Sequence, residues 1–257
     1  MNKLVIKDTV DAQYKSPDKL NVRIRLHQLY STNKEGFNNW IVKHYSIKKE
    51  SSILELGCGT GITWQEHTKL LQDCKEIYVT DLFEVMIEKA RANIGEHSNI
   101  HYEVVNAEDL IYEDERFDIV IANMMLYHIP NLDKALSEIR RVLKNDGIFY
   151  CATYGENGVE SFINQMLNVQ TERQHTFTLQ NGKDILEYWF SSVEKLEYVD
   201  KLLISNRSDL VEYIQSFKEM NDWHNYSDEE LYRLISNYEK QGIIEIPKEY
   251  GMFVSRK

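Results

Sequence analysis

The sequence that decides the fold reads ILELGCGTG and covers residues 53–61. An apolar strand pattern runs into an acidic residue, three glycines follow at alternate positions, and a helix-like segment comes after them. Glycine has no Cβ and tolerates positive φ, so a loop of this composition lets a ligand lie against the main chain. Amides at the start of the following helix favour an anionic group. The stretch therefore predicts a nucleotide-like ligand that carries a carboxylate or a phosphate.

Strand and helix patterns alternate over residues 51–153. Apolar runs predict strands at 53–56, 76–80, 101–105, 117–122 and 148–153, the last of them after an Asp146-Gly147 turn. Apolar residues at helical spacing predict helices at 63–71, 83–93 and 131–143. Repeated strand–helix units of this kind predict an α/β fold with a parallel sheet covered by helices.

The segments before residue 51 and after residue 153 do not continue the strand–helix alternation. Helices are predicted after Ser16-Pro17 and over 37–44, and again over 208–219 and 227–241, the last with Glu230 at the capping-box position. A strand is predicted at 193–198, and 243–246 and 252–255 flank a turn as a terminal antiparallel hairpin. Without repeats or a linker, we expect a single domain over 1–257. It would consist of a helical cap or lid (1–50), a ligand-binding core (51–155), and a helical insertion with the final strands (156–257).

Composition limits the function classes. The formal net charge of -11 disfavours nucleic acid as a partner, because phosphate neutralisation dominates such binding. No apolar run approaches the roughly 20 residues that span a membrane, and the N-terminus lacks the apolar region of a signal peptide. Three scattered cysteines predict neither disulfides nor a metal site. We expect a cytoplasmic protein that acts on a small molecule, of uncertain oligomeric state.

Two common phosphate-binding loops do not fit residues 53–61. The dinucleotide fingerprint G-x-G-x-x-G would need a third glycine at Ile62, and it makes no use of a carboxylate at Glu55. The P-loop requires a Gly-Lys-Ser/Thr ending, which is absent. A nicotinamide-dependent oxidoreductase is therefore a disfavoured alternative.

The stretch ELGCGTG at 55–61 resembles motif I of the class I S-adenosylmethionine-dependent methyltransferases. DLFEVM at 81–86 is similar to that family's D-x-S-x-x-M pattern, with Phe83 in place of the small polar residue. NAEDL at 106–110 is similar to D-A-E-D-L, with Asn106 in place of aspartate. FDIV at 117–120 with residues 123–130 resembles motif IV, and residues 140–147 resemble the helix and turn before the fifth strand. The resemblance covers residues 50–155 and implies a Rossmann-like, doubly wound sheet.

The resemblance implies a binding role for each matching residue. The loop, with Gly57, Cys58, Gly59 and Gly61, would hold the methionine part of S-adenosylmethionine, and Asp81 would accept hydrogen bonds from the ribose hydroxyls. Glu55 would order the loop or meet the ligand's amino group, and Leu82 and Met86 would contact the adenine. Asn106, Ala107 and Glu108 would lie near the adenine, and Asn123 belongs to motif IV. Tyr30 would reach the methionine carboxylate from the lid helices.

Each role has a plainer alternative. Glu55 and Asp81 can be strand-end acids that cap nearby amides, Tyr30 can pack the cap onto the core, and Cys58 can be a small buried filler rather than a reactive thiol. Aromatic residues of the cap and insertion either line an apolar substrate pocket or pack helices together; they are Phe37, Trp40, Trp189, Phe190, Trp223 and Tyr226.

The reaction implied is in-line displacement of a methyl group from a sulfonium by an acceptor. His128 follows the fourth predicted strand and is the candidate catalytic base, because histidine titrates near neutral pH. Its alternative is a residue that shapes the pocket without moving a proton. A catalytically silent S-adenosylmethionine-binding module remains a second reading, because fold alone does not fix function. The acceptor and its attacking atom are not encoded in any motif of this sequence.

Overall fold

The computed structural model of the protein describes residues 17–169, 176–217 and 222–257. Its strands are β1 (Ser52–Leu56), β2 (Glu76–Asp81), β3 (Ile100–Val104), β4 (Phe117–Ile121), β5 (Leu143–Tyr154), β6 (Ser192–Ile204) and β7 (Ile244–Arg256). Its α-helices are α1 (Pro17–Tyr30), α2 (Phe37–Lys43), α3 (Ile62–Gln65), α4 (Thr68–Asp73), α5 (Glu84–Ile94), α6 (Leu132–Val142), α7 (Val159–Leu167), α8 (Gly182–Glu187), α9 (Arg207–Gln215) and α10 (Asp228–Ser236). Short 3₁₀ helices occupy Leu126–His128 and Asp222–Asn225.

The strands form one sheet in the order β3-β2-β1-β4-β5-β7-β6. Neighbours from β3 to β5 are parallel, and β7 pairs with β5 in the antiparallel direction. The predicted fold class is confirmed: a mostly parallel, Rossmann-like sheet with an antiparallel terminal strand, N-terminal helices and helices after β5. No helix in the described ranges is long and apolar enough to cross a membrane.

The central strand β1 is buried at every position, as expected for a strand covered on both faces. Its side chains alternate between two apolar clusters, because successive residues of a strand point to opposite faces. Leu54 and Leu56 belong to a cluster that includes Phe117 and Leu136. Ile53 belongs to the other cluster, which includes Trp64. Glu55 is thereby placed inside the protein at the end of an apolar strand.

The structure corrects the helix predicted at 63–71. Two short helices, α3 and α4, occupy this stretch, with the break at residues 66–67. The His67 ring at the break is hydrogen-bonded to Asn39 Oδ1 at 2.9 Å, which fixes the turn between the two helices. The segment after the glycine loop is thus a single helical turn, too short to support the strong anion preference that a long helix would give.

The structure also corrects two predicted turns. Asp146-Gly147 lies inside β5, where the register of the β4–β5 pairing shifts. The turn between 243–246 and 252–255 does not form, because β7 runs through it as one strand. Pro247 lies outside the stretch 250–256 of β7 that pairs with β5, so its missing N–H costs no hydrogen bond there. Gly251 is required by close packing, since a Cβ at this position would lie 2.5 Å from the Leu196 carbonyl oxygen.

The described residues group into two compact units. The first, here called the sheet unit, contains residues 35–155, 176–198 and 250–257. The second unit contains residues 17–34, 156–169, 199–217 and 222–249. The expectation of a single domain over 1–257, with boundaries after residues 50 and 155, stays a prediction.

The second unit has its own apolar core. The core draws on four helices and includes Leu26, Ile163, Leu210, Ile214, Leu231 and Ile235. The helix predicted at 227–241 is present as the shorter α10, and its capping box is confirmed. Ser227 Oγ accepts from the Glu230 amide at 3.3 Å, and the Ser227 amide donates to Glu230 Oε2 at 2.9 Å. Trp223 is buried in this core, where its indole N–H donates to Asn164 Oδ1 at 2.7 Å.

A buried ion pair joins α1 to the two long strands within the second unit. The Lys248 ammonium donates to Asp200 Oδ2 at 2.7 Å and to Ser31 Oγ at 2.9 Å, and both charged side chains are buried. Burial raises the pKa of Asp200, but hydrogen bonds from Lys248, the Asn33 amide and Ser31 outweigh it and bring the pKa down to about 2. The pair therefore stabilises the unit above pH 4, and this contribution is lost as pH falls from about 4 through about 2.

Replacing Asp200 by asparagine is expected to lower the free energy of unfolding by about 3 kcal/mol, because the buried ammonium loses its carboxylate. Adding Lys248→Met is expected to recover part of that loss, since neither charge then remains inside. Urea unfolding at neutral pH measures both effects, with Glu229→Gln, at an exposed position of the same unit, as the control. A stability of Asp200→Asn within about 0.5 kcal/mol of the parent would contradict the prediction.

Candidate functional site

The predicted site residues of the sheet unit gather at one edge of the sheet. The glycine loop follows β1, Asp81 ends β2, Asn106 follows β3, and Asn123 follows β4. These four strands are neighbours in the order β3-β2-β1-β4 and run parallel, so their carboxyl ends meet. Ligands of open α/β sheets bind at this edge, which makes it the candidate site.

All three loop glycines have positive φ, at 66° for Gly57, 56° for Gly59 and 70° for Gly61. A Cβ at Gly57 would lie 2.9 Å from the side chain of Met125, so that position also needs glycine for packing. A Cβ at Gly59 would meet no atom within 4 Å. The main chain at Gly59 therefore faces open space, as a loop that receives a ligand against its backbone requires.

The Asp81 carboxylate is held in place by two main-chain amides. Its Oδ2 accepts from the Gly59 amide at 2.9 Å and its Oδ1 accepts from the Phe83 amide at 3.0 Å. Burial raises the pKa of Asp81, and these amide bonds act against that rise. Each carboxylate oxygen has two lone pairs, so both oxygens keep capacity for a further donor such as a ligand hydroxyl.

Glu55 is a buried acid beside this carboxylate. Its side chain is 3% exposed, and its Oε2 accepts from the Trp64 indole N–H at 2.6 Å. Burial raises the pKa of Glu55 to about 7; the Trp64 bond acts against this rise, and the negative charge of Asp81 adds to it. Glu55 and Asp81 together form a buried acidic site, which favours a positively charged ligand group.

The ligand-free protein should gain stability when Glu55 is replaced by glutamine. Because the pKa of Glu55 is raised to about 7 in the folded protein, its contribution falls as pH rises from 4.5 through about 7. At pH 8 we expect Glu55→Gln to exceed the parent by about 1–3 kcal/mol, and at about pH 4.5 to match it. Chemical unfolding at both pH values tests this, with the exposed Glu50→Gln as control. Equal stability of Glu55→Gln and the parent at pH 8 would refute it.

Cys58 occupies the middle of the loop and is half-buried. Its amide donates to the Thr80 carbonyl at 2.9 Å, which ties the loop to β2. Burial raises the pKa of its thiol, and the charges of Glu55 and Asp81 raise it further. The thiol is therefore protonated at neutral pH and does not act as a nucleophile.

The residues predicted near adenine have their own local partners. Leu82 is half-buried, whereas Met86 and Ala107 are buried. Asn106 Oδ1 accepts from the Glu108 amide at 3.1 Å, and this bond shapes the turn after β3. Glu108 Oε1 accepts from the Asn131 amide at 3.0 Å, at the start of α6. The adenine roles of these residues stay predictions.

Asn123 continues β4 toward the site. Its Nδ2 donates to the Tyr45 hydroxyl at 2.6 Å, and its Oδ1 is buried without a hydrogen-bond partner among the described residues. The Tyr45 ring packs against Tyr150 at 5.0 Å and Trp64 at 5.9 Å between ring centroids. Tyr45 thus links Asn123 to the tryptophan that holds Glu55.

The last two predicted residues lie in different units. His128 ends the 3₁₀ helix after β4 in the sheet unit, with its ring 4.4 Å from that of Tyr127. Tyr30 belongs to the second unit, where its hydroxyl donates to Asp209 Oδ2 at 2.5 Å. Both the base role of His128 and the cofactor contact of Tyr30 stay predictions.

Comparison with known proteins identifies the part of the chain that carries this site. A family model described as "Methyltransferase domain" matches residues 54–151, the segment that runs from β1 into β5. Residues 54–151 form a class I S-adenosylmethionine-dependent methyltransferase domain. Its cofactor is S-adenosylmethionine, as the resemblance of motif I implied.

Curated relatives match less than half of the chain. The ubiquinone/menaquinone biosynthesis C-methyltransferase UbiE of Hydrogenovibrio crunogenus is 36% identical over 104 residues, which are 39% of this chain and 41% of that protein. An uncharacterized protein of Haemophilus influenzae is 36% identical over 115 residues, 43% of this chain and 45% of that protein. The chain thus spans less than half the length of either relative.

Solved structures share the fold more widely. A methyltransferase of an antibiotic biosynthesis pathway from Anabaena variabilis has a TM-score of 0.62 at 19% identity, over 86% of this chain and 96% of that one. A methyltransferase from Bacillus halodurans has a TM-score of 0.59 at 19% identity, over 86% and 98%. At these identities the likeness shows the fold of the chain.

The residues present fit S-adenosylmethionine. The open space over Gly59 leaves room for a ligand on the main chain, and the fixed Asp81 carboxylate suits a pair of ribose hydroxyls. The sulfonium and the amino group of S-adenosylmethionine are cationic, which suits the two buried acids Glu55 and Asp81. When bound, the cofactor supplies a methyl group on a positively charged sulfur.

Two residues of the site were not found by the sequence reasoning. Trp64 was assigned to a longer helix without a role, and Tyr45 fell between predicted elements. Both act through contacts made by buried side chains: the indole with Glu55 and the hydroxyl with Asn123. No local motif marks either residue, because their partners are brought together only by the fold.

Proposed function

We propose that this protein transfers a methyl group from S-adenosylmethionine to a small-molecule acceptor. The arrangement of Gly59 and Asp81 carries the proposal. The Gly59 amide orients the carboxylate, while the same residue leaves the main chain open to a ligand. Glu55 adds a second buried acid for the cationic part of the cofactor.

The chain's contribution to such a transfer is alignment. The glycine loop would hold the methionine part of the cofactor and Asp81 its ribose, which would keep the cofactor in one orientation for the acceptor. Holding two reactants in line is worth roughly 7–11 kcal/mol in favourable cases. His128 would take the proton that the acceptor releases, from its position after β4 at the same edge of the sheet.

Two observations favour a small acceptor over nucleic acid. The net charge of -11 opposes a polyanion. The relative from Hydrogenovibrio crunogenus is named for C-methylation in ubiquinone and menaquinone biosynthesis. A carbon nucleophile on a quinone-precursor ring is therefore the first acceptor class to assay, followed by oxygen and nitrogen nucleophiles.

A binding measurement and a transfer assay test the proposal together. Thermal unfolding with S-adenosylhomocysteine should show stabilisation, and with NAD none. Transfer of labelled methyl from S-adenosylmethionine should then appear in one acceptor pool. Stabilisation by NAD alone would overturn the proposal. Binding of S-adenosylhomocysteine without transfer to any pool would support the silent binding module instead.

A further inference from the structure

The strongest unassigned contact at the site is the hydrogen bond between Trp64 and Glu55. The indole N–H donates to Glu55 Oε2 at 2.6 Å, and Trp64 is fully buried. The two residues are nine positions apart and lie on either side of the glycine loop at 57–61. The bond therefore closes the loop across its base.

The position of Trp64 is fixed from two directions. It lies in the one-turn helix α3, and its main-chain amide donates to the Gly61 carbonyl at 3.0 Å. Its ring packs beside Tyr45, whose hydroxyl is bonded to Asn123. A tryptophan held in this way keeps its N–H aimed at one carboxylate oxygen, because it cannot turn without displacing its neighbours.

The groups around Glu55 disfavour its ionised form, and the hydrogen bond from Trp64 is the contact that favours it. Asp81 ends β2 and Cys58 lies in the loop, and Tyr45 comes from the segment before β1; all three interact electrostatically with Glu55. None of the three supplies a positive charge. The Trp64 bond favours the carboxylate, because a donor stabilises the charged form of an acid.

We propose that Trp64 is a positioning residue that holds the Glu55 carboxylate ionised and in place for the cationic amino group of S-adenosylmethionine. The proposal rests on the proposed function, in that Glu55 faces the bound cofactor. It assigns to Trp64 a role in cofactor affinity that acts entirely through Glu55.

The proposal predicts a characteristic pH dependence. Affinity for the cofactor should fall as pH decreases, because a protonated Glu55 no longer attracts an ammonium group. Trp64→Phe keeps an aromatic ring and removes the hydrogen-bond donor. The pKa of Glu55 should then rise, and the affinity for the cofactor should begin to decrease at a higher pH. At about pH 7.5 we expect Trp64→Phe to bind S-adenosylhomocysteine roughly 10-fold more weakly.

Isothermal titration calorimetry with S-adenosylhomocysteine on the full chain, from about pH 6 to 9, measures this effect. Trp189→Phe is the matched control, since the Trp189 indole nitrogen is buried without a partner among the described residues of the same unit. It should bind as the parent does at every pH. In a Glu55→Gln background, Trp64→Phe should change the affinity by less than about twofold, because the residue through which it acts is gone.

Several outcomes would overturn the proposal. One is a Trp64→Phe protein with the affinity and pH profile of the parent. Another is a loss of affinity in Trp64→Phe that is equal at every pH and persists in the Glu55→Gln background, because such a loss would indicate a purely structural role. Failure of the parent to bind S-adenosylhomocysteine would contradict the proposed function as well. Normal binding by both the parent and Trp64→Phe would contradict only the role of Trp64.

A spectroscopic measurement needs no change at Trp64. The chain has four tryptophans, hence four indole N–H signals in a ¹H–¹⁵N NMR spectrum. One signal should lie downfield and move as Glu55 titrates, and it should stop moving in Glu55→Gln. Four signals that ignore both pH and Glu55→Gln would overturn the proposal even if Trp64→Phe does not fold.

Discussion

Turnover of a verified acceptor is expected to fall by roughly 10²–10⁴-fold when His128 is replaced by alanine, the range typical of a lost general base. The affinity for S-adenosylhomocysteine should stay within about twofold of the parent, because the residues proposed to hold the cofactor are elsewhere. Steady-state methyl transfer and calorimetry on the same preparation separate these two effects.

The position of His128 explains why the effect should fall on turnover. The histidine ends a short helix that follows β4, and its amide donates to the Met125 carbonyl at 2.9 Å, so its main chain is fixed at the sheet edge. His97→Ala serves as the matched control, since His97 lies after α5 and is not among the residues proposed to hold the cofactor or to act as the base. Unchanged turnover by His128→Ala with a verified acceptor would rule out the base and leave a residue that shapes the pocket.

Replacing Asp81 by asparagine is expected to weaken binding of S-adenosylhomocysteine by roughly 100-fold, the cost of losing charged hydrogen bonds to two ribose hydroxyls. Asparagine keeps the shape of the side chain but has only one acceptor oxygen. In the protein each oxygen of Asp81 accepts from a main-chain amide, at Gly59 and at Phe83. The substituted NH₂ would face one of those amides, so one of the two main-chain hydrogen bonds would be lost together with the negative charge.

Asp73→Asn is the control for this change, because it removes the same charge at an exposed position at the end of α4. Thermal unfolding of the ligand-free variants shows whether the loop alone has been disturbed. Asp81→Asn that binds S-adenosylhomocysteine within about threefold of the parent would show that Asp81 is an amide cap rather than a ribose ligand.

The parts of the site that were predictable depend on local chemistry. Three alternate glycines must take up positive φ, and an acid at the end of β2 must face the same edge as the loop after β1, since the two strands are parallel. These properties follow from residue type and order along the chain. The same holds for the fold class, which the alternation of apolar runs and helical spacing predicted.

The parts that were missed depend on tertiary contacts. The break between α3 and α4 arises where His67 meets Asn39, and the turn expected near Pro247 and Gly251 is replaced by a strand that packs against Leu196. The bond from Trp64 to Glu55 joins residues on either side of the glycine loop, so it forms only once the loop has folded.

The half-buried sulfur in the glycine loop has a consequence for how the protein responds to oxidants. The thiolate, rather than the thiol, is the form that reacts with peroxides and disulfides. Burial raises the pKa of Cys58, that of Cys74 to about 11, and that of Cys151 well above its usual range. All three thiols therefore stay in their unreactive form at neutral pH. The glycine loop therefore carries its sulfur in the form that reacts slowly with oxidants at neutral pH.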